Sequence, residues 1–217
     1  MKGTAPNWLA WLEKRMRWLE IPGIGILLVT MQAAGFLMVT MEPAWLGRLA
    51  LLPEAAIGGG EYWRLITWLA LPLSMSPIWV IFTLWFLYFV TGLIEKEWGS
   101  FRTTLYVLWA VGATVTYSLV TGYPVTQASH FESTLFLAAA ALFPNFMVQL
   151  FFVLPVKIKW LALLTACFLL LEFVRGTWWD RGYLLTMFSG YALFFGPAQV
   201  EAIRLSLRRA KYKRDVR

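Results

Sequence analysis

Apolar runs long enough to cross a bilayer recur along this chain of 217 residues, and no other feature restricts its fold as much. Hydrophobic residues make up 59% and charged residues only 14%, too little polar surface to cover a soluble core of this size. The chain therefore reads as a polytopic membrane protein of the all-α class. Cys167 is the single cysteine and lies inside an apolar run, which excludes an intrachain disulfide and a metal site built on thiolates.

Six helical segments are expected, over about 23–41, 77–94, 103–120, 133–143, 158–173 and 183–195. The fourth and sixth are short. At about 1.5 Å per residue, a dozen residues cover under about 20 Å of a core about 30 Å thick, so such helices depend on longer neighbours.

Basic residues orient the count. Six spans with both termini in the cytoplasm keep fifteen of the nineteen Lys and Arg inside and leave Arg48, Arg64, Arg175 and Arg181 outside. Five or seven spans would put one basic terminus outside. The net charge of +7 then reads as cytoplasmic ends facing anionic lipid; no nucleic-acid-binding signature accompanies it.

Residues 1–22 read as an amphipathic interfacial helix rather than a cleaved signal peptide. Trp8, Leu9, Trp11, Leu12, Met16, Trp18 and Leu19 share one half of its wheel; Glu13, Lys14, Arg17 and Glu20 share the other. Residues 23–196 form one six-helix membrane domain. Pro197 is a good first helical residue and opens a basic amphipathic tail over 197–217, a second helix on the membrane surface. The first loop, about 42–76, is apolar enough to lie in the interface, with residues such as Leu51, Tyr62, Trp63 and Trp68 half-buried.

Several residues within the membrane domain form an ordered pattern. Trp63-Arg64 stands in the first loop, and Glu95-x-x-x-Gly99-x-x-Arg102 on the turn between the second and third segments. Ser133 opens the fourth segment, Pro144 follows it, and Gly190 lies in the sixth. In this order, over roughly 60–196, they resemble the rhomboid superfamily of intramembrane proteases and their inactive relatives. The resemblance implies a rhomboid-like six-transmembrane-helix bundle.

An active rhomboid is a serine–histidine dyad enzyme. Its serine sits in a Gly-x-Ser-Gly turn, its histidine on the sixth span, and a His-x-x-x-Asn pair on the second span stabilises the oxyanion. In this chain the turn reads Phe131-Glu132-Ser133-Thr134, and the His-x-x-x-Asn positions fall on Trp79 and Thr83. The histidine position falls on Tyr183, or on Met187 in a shifted frame, and neither is a base near neutral pH. Losing the base costs on the order of a million-fold. Losing an oxyanion donor removes roughly a further hundred- to thousand-fold. Together these losses erase nearly all the acceleration of a modest protease. Ser133 is then a vestigial nucleophile.

His130, the one histidine, lies three residues before Ser133. A base must be oriented by a third group, so the preferred reading is an interfacial loop histidine near Glu132. Glu132 is read as a solvated loop residue, with a carboxyl lining a water-filled cavity as the alternative. A cavity or client contact would use Glu132, His130, Trp79 and Thr83. Arg64 is expected to bond loop carbonyls or snorkel to headgroups, with Trp63 as an interface anchor. Glu95 and Arg102 are expected to pair across the Gly99 turn, and Gln32 to bond to a neighbouring helix. The sequence has no phosphate loop and no His/Cys cluster, so no cofactor and no metal are expected.

The resemblance implies a pseudoprotease akin to the Derlins and inactive rhomboids, in a bacterial inner membrane, with the bilayer and transmembrane client proteins as its partners. Bilayer thinning beside the short fourth and sixth spans is the expected means of handling clients. One rival is a divergent intramembrane serine protease using Ser133 with His130. Another is a small transporter or lipid-handling protein, for which no inverted repeat or broken-helix pair is visible.

Overall fold

The computed structural model describes residues 13–150 and 154–215, with side chains as far as Gly196 except at 150 and 154. Its long helices are α1 (Ile24–Met41), α2 (Pro77–Trp98), α3 (Ser100–Thr121), α4 (Ser129–Leu142), α5 (Ile158–Arg175) and α6 (Trp178–Asp215). Among the described residues three segments, Arg17–Met41, Pro77–Trp98 and Ser100–Thr121, are long and apolar enough to cross a membrane.

Local chemistry sets the helix ends. Pro77 opens α2 behind Ser76, where its missing N–H has no intrahelical partner to lose. Gly99, at φ +81°, is the single residue between α2 and α3, in a conformation that a side chain would strain. At the start of α6, Asp180 Oδ2 accepts from Thr177 N–H at 2.8 Å, and Thr177 Oγ1 accepts from Asp180 N–H at 3.3 Å, a reciprocal cap. Inside the apolar helices the hydroxyls of Thr91, Thr103, Thr114 and Thr121 donate to the carbonyl four residues back, so none is left unpaired in a dry setting.

Helix α4 sits at the centre, against α2, α5 and α6, while α1 lies on α2 and on the Trp68–Ala70 turn, and α3 on α2 and α6. Close approach needs small residues. A Cβ on Gly35 would stand 1.8 Å from the Ala70 carbonyl oxygen, and one on Gly190 would stand 2.8 Å from Trp109 Cδ1. Gly190 is thus a packing residue between α6 and α3.

The first loop is folded back onto the bundle. It carries short helices at Trp45–Leu49 and Arg64–Thr67 and turns at Glu54–Gly58 and Trp68–Ala70. Trp68 and Leu51 are fully buried, whereas Tyr62 and Trp63 are exposed. Leu51 and Val125 exchange backbone hydrogen bonds of 3.0 and 2.9 Å, which ties the loop to the segment leading into α4.

Four expectations are corrected. First, the all-α class admits one hairpin, β1 (Met147–Leu150) antiparallel to β2 (Leu154–Lys157), with Met147 opposite Lys157 and Pro155 opposite Gln149. An edge position lets Pro155 go without a donor. Second, α4 begins at Ser129, four residues before Ser133. Third, the sixth segment is not short. One helix runs through Pro197 to Asp215, roughly 57 Å at the α-helical rise. Pro197 costs this helix a hydrogen bond, and the Ala-, Leu- and Arg-rich residues after it are strong helix formers that carry it on. Fourth, the tail therefore continues α6 instead of starting a separate helix. Most of the N-terminal surface helix, residues 1–12, lies outside the described residues, and Arg17–Leu19 form a 3-10 turn.

Candidate functional site

Gln32 lies midway along α1, and Leu87 midway along α2. Gln32 is buried, and its Nε2 donates to Glu132 Oε1 in the first turn of α4. A residue at mid-height of a long helix thus holds the start of a short one. The 14 residues of α4 begin deep in the bundle and extend roughly 21 Å from there. The bond from Gln32 to a neighbouring helix is as expected. The solvated-loop reading of Glu132 is corrected, because a second helix closes over it.

Beside Glu132 is a cavity of about 210 Å³ between α2 and α5. Phe86, Leu87 and Val90 form one wall, Thr165 of α5 stands on the other, and Ser129, Glu132, Ser133 and Phe136 form the α4 floor. A larger hollow of about 300 Å³ lies beside Gly23 and Glu95, where the ends of α1 and α2 meet. Its carboxyl is already engaged, since Glu95 Oε1 accepts from Gly23 N–H at 2.9 Å and from Ser100 Oγ at 2.6 Å. The smaller cavity holds the candidate residues and is the one with chemistry to offer.

Ser133 faces that cavity, but its Oγ donates to Ser129 O of the preceding turn at 2.8 Å. His130 is buried in α4 with its Nε2 2.9 Å from Glu172 Oε1 on α5, and its ring stands edge-on to Tyr183 at 5.4 Å. The loop-histidine reading is corrected: the loop ends at Ala128, and helix α4 carries His130 into the interface with α5 and α6. No hydrogen bond joins His130 to Ser133 among the described residues. A third group does orient the imidazole, but it directs the ring to α5 and away from the hydroxyl.

The other candidates disperse. Tyr183 is buried and stacked on Tyr123 at 5.1 Å; Met187 is buried with its Sδ 3.3 Å from Thr114 Oγ1. Thr83 Oγ1 donates to Val80 O, and Trp79 is half-exposed, edge-on to Phe82 at 6.3 Å, about two turns from Phe86. Neither lines the cavity.

Arg64 is buried, and its guanidinium donates to the carbonyls of Gly47 and Ala50 at 2.6 and 2.8 Å and to Glu61 at 2.5 Å. Of its two expected roles the first holds, and Trp63 beside it is exposed. Glu95 and Arg102 do not pair. The reversal at Gly99 leaves Glu95 against Gly23, while Arg102 meets Glu13 at 3.1 Å.

At the other end of the bundle Tyr123 OH donates to Asp180 Oδ1 at 2.7 Å. The Thr177 hydroxyl, then Tyr123, holds the Asp180 carboxyl below its ordinary pKa; burial, then Asp180, pushes the Tyr123 phenol up.

Sequence reasoning missed Glu172 as the partner of His130, and the lining residues Phe86, Leu87, Val90 and Thr165. The lining residues have no one-dimensional signal, whereas Glu172 has one as a carboxyl within an apolar run. Gln32 and Glu132 did carry one, as polar residues in apolar surroundings. Among the described residues no group of His, Cys, Asp and Glu could hold a metal ion. Comparison with known proteins finds no family model that matches the chain, no similar curated protein and no similar solved structure. The rhomboid resemblance rests on its motif residues alone.

Proposed function

We propose that the chain is a rhomboid-like pseudoprotease of the bacterial inner membrane, with six spans and both termini cytoplasmic, that binds transmembrane segments of client proteins in the cleft between α2 and α5. The observation that carries this reading is the division of labour on α4. Ser133 returns its proton to its own helix while His130 is committed to Glu172, so the floor of the cleft has polar groups and no activated nucleophile. Leu163, Leu164, Phe168, Leu170 and Leu171 on α5 are exposed, a surface suited to lipid, which would leave the cleft open sideways to a helix in the bilayer. Bilayer thinning drops out of the reading: α6 is long, and eight of the fourteen residues of α4 are buried in protein.

A photo-crosslinking amino acid at Leu87 should capture a client segment in membranes, and one at Leu108, on the outer surface of α3, should not. Equal capture at both positions would remove the cleft from the reading. Serine-reactive fluorophosphonate should leave the protein unlabelled; labelling lost in Ser133→Ala would favour the protease rival. A periplasm-active reporter working at residue 217 would overturn the topology.

A further inference from the structure

We infer that the cleft selects client helices that carry a lysine at mid-membrane depth. This rests on the client-binding reading and adds the chemistry of the ligand.

The acceptors come first. Glu132 lines the cavity, and among the described residues its hydrogen-bond partner is Gln32, on Oε1, which leaves Oε2 for an incoming donor. The Ser133 hydroxyl spends its proton on Ser129 O and keeps lone pairs to accept with. Among the described residues no basic side chain lines the cavity, so no cation already there neutralises the carboxyl. A floor rich in acceptors suits an ammonium group, which brings three donors and no acceptor.

Depth and size narrow the ligand further. Gln32 stands midway along α1, so the carboxyl it holds lies where a cation on a lone helix is most costly to the bilayer. A lysine there gains most from a fixed partner. The volume of about 210 Å³ is below the roughly 300 Å³ at which small-molecule sites begin, and admits one long side chain rather than a whole ligand. The apolar wall of Phe86, Leu87 and Val90 would cover the methylene stem while the ammonium reaches the floor.

The exposed Cys167 is the sole thiol and takes a donor fluorophore. The labelled full chain, in phosphatidylcholine vesicles, is titrated with acceptor-labelled leucine–alanine transmembrane peptides bearing Leu, Lys or Asp at the centre. The Lys peptide should associate about tenfold or more tightly than the Leu and Asp peptides. Glu132→Gln should bring the Lys peptide down to the level of the Leu peptide. The wild-type Lys-to-Leu ratio tests the inference independently of how that variant folds. Equal binding of Lys and Leu peptides overturns this inference and leaves client binding intact. Binding of no peptide overturns the client reading and this inference with it. A Lys preference that disappears when phosphatidylethanolamine is included would assign the cleft to lipid amines instead.

Discussion

Helices α4 and α5 are consecutive in the chain and packed together, yet they are held in opposite ways. Eight of the fourteen residues of α4 are buried; in α5, of eighteen residues, only Ile158 is. Ala138, Ala139 and Ala140 let neighbours approach α4 closely, which is how packing without a hydrophobic driving force gains its contacts. α5 is tied mainly at its ends. Ile158 N–H donates to Phe146 O at 2.8 Å at one end. At the other, Glu172 meets His130, and Arg181 donates to the carbonyls of Phe173 and Val174 at 2.9 Å. The cleft therefore has a fixed floor and a lightly held wall. Stability and adjustability reside in different helices, and the wall is the element with the lower cost of opening.

That contrast can be broken by experiment, most severely in α4. Leu135→Ala should destabilise the protein by about 2–5 kcal/mol in a reversible unfolding assay, because a fully buried side chain leaves a cavity. A loss below about 1 kcal/mol would mean that α4 is not the fixed element.

His130→Ala tests the tie between the two helices. Glu172 is about half-exposed, so solvent screens the pair and the cost should be only about 1 kcal/mol. Amide exchange should quicken in the last turns of α5 and stay slow in α4. Unchanged exchange in α5 would show that Arg181 alone secures that end.

Ser133→Ala should cost less than about 1 kcal/mol, since its hydroxyl bonds only to its own helix. Client binding should persist with a smaller preference for the Lys peptide, and substrate cleavage that disappears in this variant would contradict the floor described here. On the outer face of α5, Leu171→Ala should change stability by less than about 0.5 kcal/mol. A larger loss would place a partner on that face.

The smallest effect concerns the start of α6. The Asp180 carboxyl titrates below its reference value of 3.8, so the folded state favours the ionised form. Its contribution is fully present above that value and fades as pH falls through the folded pKa. Asp180→Asn should therefore flatten part of the stability decline below about pH 4 in a thermal-melt series. The group is only partly buried, and solvent screening keeps the effect small.

Much of the architecture was legible along the chain. Apolar run length marks α1, α2 and α3; Pro77 marks the start of α2, and Gly99 its end. These features act over a few residues, so a window of sequence contains their cause. The Thr177–Asp180 cap was of this kind too and would have placed the start of α6, where apolar content alone put it at Tyr183.

The start of α4 was not legible. Ser129, His130 and Glu132 have the composition of a loop, yet they open a helix in which Gln32 answers Glu132 from 100 residues away and Glu172 answers the buried His130 from 42. Removing polar groups from solvent costs free energy unless partners await them. Local sequence cannot say whether partners will be there, since their positions are set by the packing of α1 and α5. The sequence by itself determined that the chain builds apolar helices and carries one histidine, His130. The tertiary structure decided which polar groups meet, and so which carboxyl was spent on the fold at Glu95 and which faces the cleft at Glu132.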